Sequence, residues 1–514
     1  MASVVITGHS LTLQQVVEVA RHGAMVEVDE QVRQRLAATR AGLERRLAAG
    51  EVIYGVNTGF GRLADVRVPD DDLGQLQLNL LRSHACGVGE PFSPDVVRAM
   101  LLLRANVLAT GYAGVRPEVV DALVALLNAG VHPVVPSLGS VGASGDLAPL
   151  AHLALVLVGE GEATYRGERL AGKEALRRAG LPALELAPKE GLALINGTQA
   201  MGAVAALALA DAEQLLEAAD VVAALSVDAL LGTDTAFLEE IHAARPHPGQ
   251  RASARALWQL LQGSELREAH RECPQVQDAY SLRCTPQVHG AARDAAAHLR
   301  SRLETEFNSA TDNPMVLADG RVVSGGNFHG AGVAAAFDYL AVALTAVASI
   351  SERRSARLVT PEQSGLPPFL VEASGLNSGF MMAQVTAAAL VSECKTLAHP
   401  ASVDSIPTSA GREDHVSMGT WGARKLAKVV AYLRTVLGIE LLLAAQGIDL
   451  RRPLRSSPVL ERVHAAFRRT VPRLERDRAL YPDIAAAAEW VGELPAVVAE
   501  VEQAAGGAGA PGRS

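Results

Sequence analysis

The run Gly139-Ser140-Val141-Gly142-Ala143-Ser144-Gly145-Asp146-Leu147-Ala148-Pro149-Leu150-Ala151 places three glycines in seven residues, then opens an apolar helical pattern that continues to about Val158. Glycine at that density serves a tight, unhindered backbone path. Spacing alone leaves two plain readings. One is a glycine-rich turn with Asp146 as helix N-cap. The other is a phosphate cradle, which would want the lysine of a P-loop or a strand-glycine-helix fingerprint, and neither is present.

Outward from this run, the chain of 514 residues is 49% hydrophobic, enough to bury a large core. Aromatic residues are only 4%, and the long segments at 121–129, 198–231, 330–351 and 381–398 are Ala- and Leu-rich with helical spacing. Small side chains let helices approach closely, so the pattern predicts a mainly α fold with a core of long antiparallel helices. Short strands at 4–7 and 25–28, with a helix between them opening near Thr12, predict a smaller mixed α/β N-terminal region over 1–110. The helical domain then spans 111–503, and the Gly/Ala-rich tail 504–514 is too poor in large apolar groups to order itself. Turn chemistry collects at 133–145, 245–249, 361–368 and 400–412.

A formal charge of −9 with mixed signs offers no basic stripe for nucleic acid and no polybasic membrane anchor. The uncharged stretch 191–210 is interrupted by Asn196-Gly197-Thr198-Gln199 and runs into Asp211, Glu213 and Glu217, which fits a buried helix better than a membrane span. Four scattered cysteines, Cys86, Cys273, Cys284 and Cys394, suggest neither zinc nor a disulfide framework, and the N-terminus has no secretory pattern; a cytoplasmic protein is expected.

Further segments carry polar residues in notable settings. Tyr54-Gly55-Val56-Asn57-Thr58-Gly59-Phe60-Gly61 reads as a flexible surface loop with a structural tyrosine. In Gln277-Asp278-Ala279-Tyr280-Ser281-Leu282-Arg283, helical spacing puts Tyr280 and Arg283 on one face. Asn196 stands in an apolar segment where its amide must find partners. Phe328, in Ser324-Gly325-Gly326-Asn327-Phe328-His329, reads first as core; Ser83-His84 and Glu413-Asp414-His415 read as solvated or structural, without metal-ligand spacing, so no metal is expected.

The whole run 139–151 resembles the signature of the histidine/phenylalanine ammonia-lyase family, and the other segments resemble its motifs in order from about Tyr54 to Leu450. The resemblance implies a fumarase/aspartase-like helical fold, a homotetramer with active sites shared between chains, and no external cofactor. It further implies that Ala143-Ser144-Gly145 cyclises with loss of two waters to 4-methylideneimidazole-5-one, the nitrogen of Gly145 attacking the carbonyl of Ala143 and Ser144 losing its hydroxyl. The helix after Asp146 would aim its positive end at that ring. By the same resemblance, Tyr54 and Tyr280 are candidates for proton transfer, for which a phenol near neutrality needs cationic neighbours; which of them is the principal base stays open. Arg283 would clamp the substrate carboxylate as a bidentate donor, Gln277 belongs to the same substrate-binding motif, Asn196 would lie beside the ring and the carboxylate, and Phe328 would pack near the ring.

Ser83-His84 and Glu413-Asp414-His415-Val416-Ser417-Met418 resemble the histidine-specific members. A carboxylate at Glu413 suits an imidazole N–H and would be stranded by a phenyl ring. The implied reaction is that of a carbon-nitrogen lyase converting L-histidine to trans-urocanate and ammonia, which opens histidine degradation. Arg412 stands where histidine-specific members usually carry Gln, and Gly330-Ala331-Gly332 where Glu or Gln with Pro is common. The alternatives are a phenylalanine or tyrosine ammonia-lyase, a 2,3-aminomutase, or a helical scaffold that never forms the ring.

Overall fold

The computed structural model describes residues 3–270 and 276–507. The chain begins as predicted. Strand Val4–Ile6 pairs in parallel with Val26–Val28, register Val4 to Val26, across the helix Leu13–His22. Thr12 and Gln15 form a reciprocal capping box at the start of that helix, and Gly23 ends it in the left-handed region at φ 70°. Helix Pro117–Ala129 starts four residues before the predicted 121 because Pro117 occupies its first turn, where no amide hydrogen is needed, and Gly130 terminates it at φ 71°. The other predicted rods appear as Gln199–Ala229, Ala331–Val359 and Met381–Leu397, and Leu147–Leu157 follows the glycine-rich run.

The contacts divide the chain otherwise than at residue 110. One compact unit holds Met1–Ala210, Leu299–Asp338 and Pro400–Arg424; the second holds Asp211–His298, Tyr339–His399 and Lys425–Ser514. Four of the five limits fall inside the long helices Gln199–Ala229, Thr285–Phe307, Ala331–Val359 and Gly419–Leu450, so a single division by sequence position cannot separate the units. Mixed structure also extends past 110. Val131–Pro133, Glu162–Tyr165 and Glu168–Ala171 form a three-stranded antiparallel sheet, and Met315–Val316 pairs with Val322–Val323. At the far end the helix Tyr481–Gly507 runs into the first residues of the expected tail, and the rest of that tail lies outside the described residues.

Gly191 to Leu209 is buried throughout, in agreement with a core reading. The helix Ala331–Val359 is long and apolar enough to cross a membrane by length and composition, and 61% of its apolar window is buried within the protein.

Close helix approach, anticipated from the Ala-rich composition, is visible in the second unit. A Cβ added to Gly438 would lie 2.7 Å from the Ala488 backbone nitrogen, and one added to Gly447 would lie 2.9 Å from Cβ of Ala229. The contact is backbone on side chain or backbone on backbone, so it cannot be relieved by a rotamer change. Gly438→Ala is therefore expected to lower stability by about 1–3 kcal/mol in chemical denaturation, opposite in sign to the gain of about 1 kcal/mol that alanine gives in an open helix. An unchanged or raised midpoint would contradict this packing.

Candidate active site

The path of the glycine-rich run is dictated by the chain laid against it. Gly145, at φ 72°, pairs in parallel with Gly197, and the Asp146 nitrogen donates to the Gly197 carbonyl at 2.8 Å. A Cβ on Gly145 would stand 2.2 Å from that carbonyl oxygen, and one on Gly197 would stand 2.5 Å from an Arg104 guanidinium nitrogen. Gly142 is similarly confined: the Ser417 hydroxyl donates to its carbonyl at 3.0 Å, and a Cβ would meet that hydroxyl oxygen at 2.3 Å. Ala143 is buried with Ala401, Val416 and Met418.

Asp146 begins its helix by position, but its side chain does not cap it. Its carboxylate instead accepts from the Met201 nitrogen at 2.7 Å, in the first turn of Gln199–Ala229, from the Ser140 hydroxyl at 3.0 Å, and from the Thr420 hydroxyl in the first turn of Gly419–Leu450. One carboxylate thus joins two further helix starts to the run that carries Ser144. Burial raises its pKa, and the donated hydrogen bonds act against that rise.

The polar cluster 196–199 is paired almost completely. Thr198 donates to Glu306 at 2.6 Å, and Gln199 donates to Thr311 at 3.0 Å and accepts from Arg104. Asn196 donates through Nδ2 to the Asn313 carbonyl at 2.9 Å and to Asp312 at 3.3 Å. Its Oδ1 is buried without a partner.

These segments wall a cavity of about 690 Å³ lined within the first unit by Tyr54, His84, Ser144, Asn196, Phe328 and Glu413 among others. The Ser144 hydroxyl donates to Glu413 Oε1 at 3.2 Å, and Thr408 donates to Glu413 Oε2 at 2.7 Å. The His84 ring Nδ1 lies 2.9 Å from the Leu80 carbonyl, which can only accept, so Nδ1 carries the hydrogen and Nε2 is left as an acceptor. Burial lowers the His84 pKa, against smaller opposing effects of the Leu80 carbonyl and the Glu413 charge. The Tyr54 oxygen accepts from the Gly61 nitrogen at 3.1 Å.

The loop around Tyr54 is not a surface loop. Gly55 to Gly59 are buried, Val56 packs with Leu43, Ile53 and Val316, and the Asn57 side chain closes the turn by accepting from the Ile53 nitrogen at 2.7 Å and donating to the Glu51 carbonyl at 2.8 Å. One apolar residue and one amide in a short Gly-bounded stretch gave too little signal to show this.

Four predicted site residues are absent from the cavity wall. Gly145 lies against Gly197, and Gln277, Tyr280 and Arg283 belong to the second unit. There, Tyr280 and Arg283 share a helical turn as their spacing predicted, with the guanidinium 4.6 Å from the ring centroid and Tyr280 70% exposed.

Other lining residues received no role in the sequence reading. His329 and His415 stack with ring centroids 5.7 Å apart on the cavity wall. Behind Asn196, Arg104 is fully buried, its pKa brought down by burial to about 10, and it donates to the Asn196 carbonyl at 3.0 Å. Lys189 and Asp312 form a buried ion pair at 2.6 Å. Arg104 did have a sequence signature: a charge inside Leu101-Leu102-Leu103-Arg104-Ala105, where burial requires partners.

The profile of the family described as Aromatic amino acid lyase matches residues 11–469. A histidine ammonia-lyase of Sorangium cellulosum (strain So ce56) is 56% identical over 509 residues, covering 97% of this chain and 99% of its own. Among solved structures, the histidine ammonia-lyase of Trypanosoma cruzi superposes with TM-score 0.90 at 44% identity, over 98% of this chain and 95% of that one. The tyrosine aminomutase of Streptomyces globisporus does so with TM-score 0.92 at 38% identity, over 97% and 99%. The fold is that of these lyases, and the chain is an enzyme that breaks a carbon-nitrogen bond. The chain belongs to the aromatic amino acid lyase family.

The His84 geometry is open to direct measurement. In nitrogen NMR the neutral ring should be the Nδ1-protonated tautomer and should titrate below the ordinary histidine value of about 6.5. Between those two values the unfolded chain takes up a proton that the folded chain refuses, so the share of stability tied to His84 falls as pH falls through that window. A neutral ring protonated at Nε2, or a midpoint above 6.5, would exclude this arrangement.

Proposed function

We propose that the protein eliminates ammonia from L-histidine to give trans-urocanate, using an electrophile made from its own Ala143-Ser144-Gly145. The observation that carries this reading is the hydrogen bond from the Ser144 hydroxyl to Glu413 on the cavity wall. Space supports ring closure as well: Gly142 and Gly145 each lie where a side chain would strike a neighbour, and Gly145 leaves the nitrogen that must attack Ala143 free of a side chain. Once formed, 4-methylideneimidazole-5-one supplies an electrophilic methylene carbon to the substrate.

Loss of the Ser144 hydroxyl frees Glu413 Oε1, while Thr408 continues to hold Oε2. A fixed, partly buried acceptor then faces the cavity, suited to an imidazole N–H and costly to leave opposite a phenyl ring. His84 Nε2 offers a second acceptor to the same guest. Tyr54, already accepting from Gly61, keeps its own hydroxyl hydrogen for donation to the substrate. Phe328 gives the wall an apolar face.

Gln277, Tyr280 and Arg283 come to the cavity from other copies of the chain in a homotetramer. Tyr280 is too exposed, with Arg283 against its ring, for a residue whose surface ends at one chain. The second unit likewise leaves Tyr339, Val342, Met382 and Val385 between 45% and 63% exposed, an apolar face suited to subunit packing. Arg283 then clamps the substrate carboxylate, and Tyr280 joins Tyr54 as a candidate for moving the β-proton. Unpaired Cys86, Cys284 and Cys394 agree with a cytoplasmic setting.

Intact-protein mass should fall short of the encoded chain by two waters, and Ser144→Ala should restore the encoded mass and abolish urocanate absorbance on adding L-histidine. A wild-type chain of full encoded mass would refute the self-made electrophile. Glu413→Gln should keep the two-water loss while lowering kcat/KM for histidine by about ten- to a hundredfold. Unaltered histidine turnover in that variant, or a β-amino acid product from tyrosine or phenylalanine, would refute the substrate assignment.

A further inference from the structure

The tripeptide Ala143-Ser144-Gly145 is held at both ends. On its C-terminal side the Asp146 nitrogen donates to the Gly197 carbonyl at 2.8 Å. On its N-terminal side the segment 416–418 lies alongside: the Met418 nitrogen donates to the Val141 carbonyl at 2.9 Å, and the Ser417 hydroxyl donates to the Gly142 carbonyl at 3.0 Å. Met418 keeps this place at φ 55°, a left-handed backbone that a residue with a side chain adopts where its surroundings require it. Ser417 is buried and is not among the residues of the cavity wall.

The Ser417 hydroxyl restrains a point where the chain is otherwise loose. Gly142 stands at φ 68°, and the freedom that gives it this tight path also lets the peptide plane after it turn over easily. The Gly142 oxygen and the Ala143 nitrogen belong to that one plane, so a hold on the oxygen sets how the Ala143 carbonyl is presented to Gly145. The Ser417 nitrogen reaches the same oxygen only at 3.5 Å, the outer limit of a hydrogen bond, which leaves the hydroxyl as the main restraint. Its rotation is itself fixed. The hydroxyl oxygen accepts from the Gly419 nitrogen at 3.2 Å, at the first residue of the helix Gly419–Leu450, and its hydrogen is directed to Gly142. Glycine also makes room for it, since a Cβ on Gly330 would stand 3.1 Å from the Ser417 oxygen and 2.7 Å from the Met201 sulfur.

We propose that Ser417 is a positioning residue for ring closure, acting on the maturation of the chain and not on the substrate. This rests on the reading above that the electrophile is self-made. In the closure, the Gly145 nitrogen bonds to the Ala143 carbonyl carbon and its hydrogen passes to the Ala143 oxygen. That oxygen then leaves as water with the hydrogen of the Ser144 nitrogen, and the Ser144 hydroxyl leaves as a second water with the Ser144 α-hydrogen. Only the first of these steps depends on the angle of the Ala143 peptide, and it is the step that Ser417 serves. The Gly197 contact fixes the attacking nitrogen from one side, and the Ser417 contact fixes the attacked carbonyl from the other.

The test follows the intact mass of full-length chains after a short pulse of cell-free synthesis, with circular dichroism as the measure of folding. The native sequence should pass from the encoded mass to a mass lower by two waters. Ser417→Ala removes the hydroxyl, and Ser417→Cys replaces it with a weak donor while keeping the site filled. Both should fold and lose the waters about five- to tenfold more slowly, the effect of one hydrogen bond; if Ser417→Ala does not fold, Ser417→Cys decides. Gly438→Ala, destabilised in the second unit, should lose the waters at the native rate. Ser417 variants that mature at the native rate, or a Gly438→Ala chain slowed as much as Ser417→Cys, would overturn the proposal and leave the self-made electrophile standing. A native chain that keeps its encoded mass would overturn both.

Discussion

The close approach of Gly145 to Gly197 is the constraint on which the site depends. Two stretches of backbone run side by side at hydrogen-bond distance, with no space for a Cβ on either. That approach sets the bend in the Ala143-Ser144-Gly145 segment. It also brings the run into the same place as the start of Gln199–Ala229, so that the Asp146 carboxylate can accept from Met201, Ser140 and Thr420. A buried carboxylate needs several donors to offset its desolvation, and here those donors are the ends of the elements that must converge. The polar group that looks most expensive is the one that fixes the tripeptide.

Around this centre the polar residues sort into two layers with separate duties. Ser144, Glu413, His84 and Tyr54 line the cavity, each with at least one hydrogen-bonding group spoken for by the chain. Arg104, Lys189, Asp312 and Glu306 lie behind them and hold the segment 196–199. Restraint of this kind is what preorganised electrostatics requires, since a group already oriented pays little reorganisation when charge develops. The second unit carries its own buried ion pair, Arg354 with Glu440 at 2.5 Å, to which Ser226 adds a hydrogen bond at 2.6 Å. Such pairs stabilise chiefly against the loss of one partner, and they limit how the surrounding helices can be exchanged.

The helical architecture was legible because apolar residues recur at helical spacing over long stretches and the small side chains that permit close packing are abundant. The predicted rods appear within a few residues of their expected ends, except where the helix at 331–359 runs eight residues beyond the predicted 351. The short parallel strands and the Thr12 start were legible for the same reason, since capping and alternation are local signals. The sheet at 131–171 and the grouping of three separated segments into each unit were not, because pairing between distant strands and contact between distant segments leave no periodic trace. The buried state of the Tyr54 loop escaped for a related reason: Val56 packs on Leu43 and also on Val316, which lies far along the chain.

What the sequence by itself determined is the chemistry available: a Ser between Ala and Gly before a helix, a tyrosine with an arginine one turn away, a carboxylate and histidines among apolar residues. Covalent identity and local spacing settle those. Tertiary structure alone decided which of these groups share a cavity in one chain, that Tyr280 and Arg283 stand on the other unit, and that Asp146 ties helices together where a helix cap was expected. It also decided which end of the Asn196 amide is left unpaired. The orientation of a hydrogen bond depends on partners more than 100 residues away, at Asp312 and Asn313, and no local pattern encodes it.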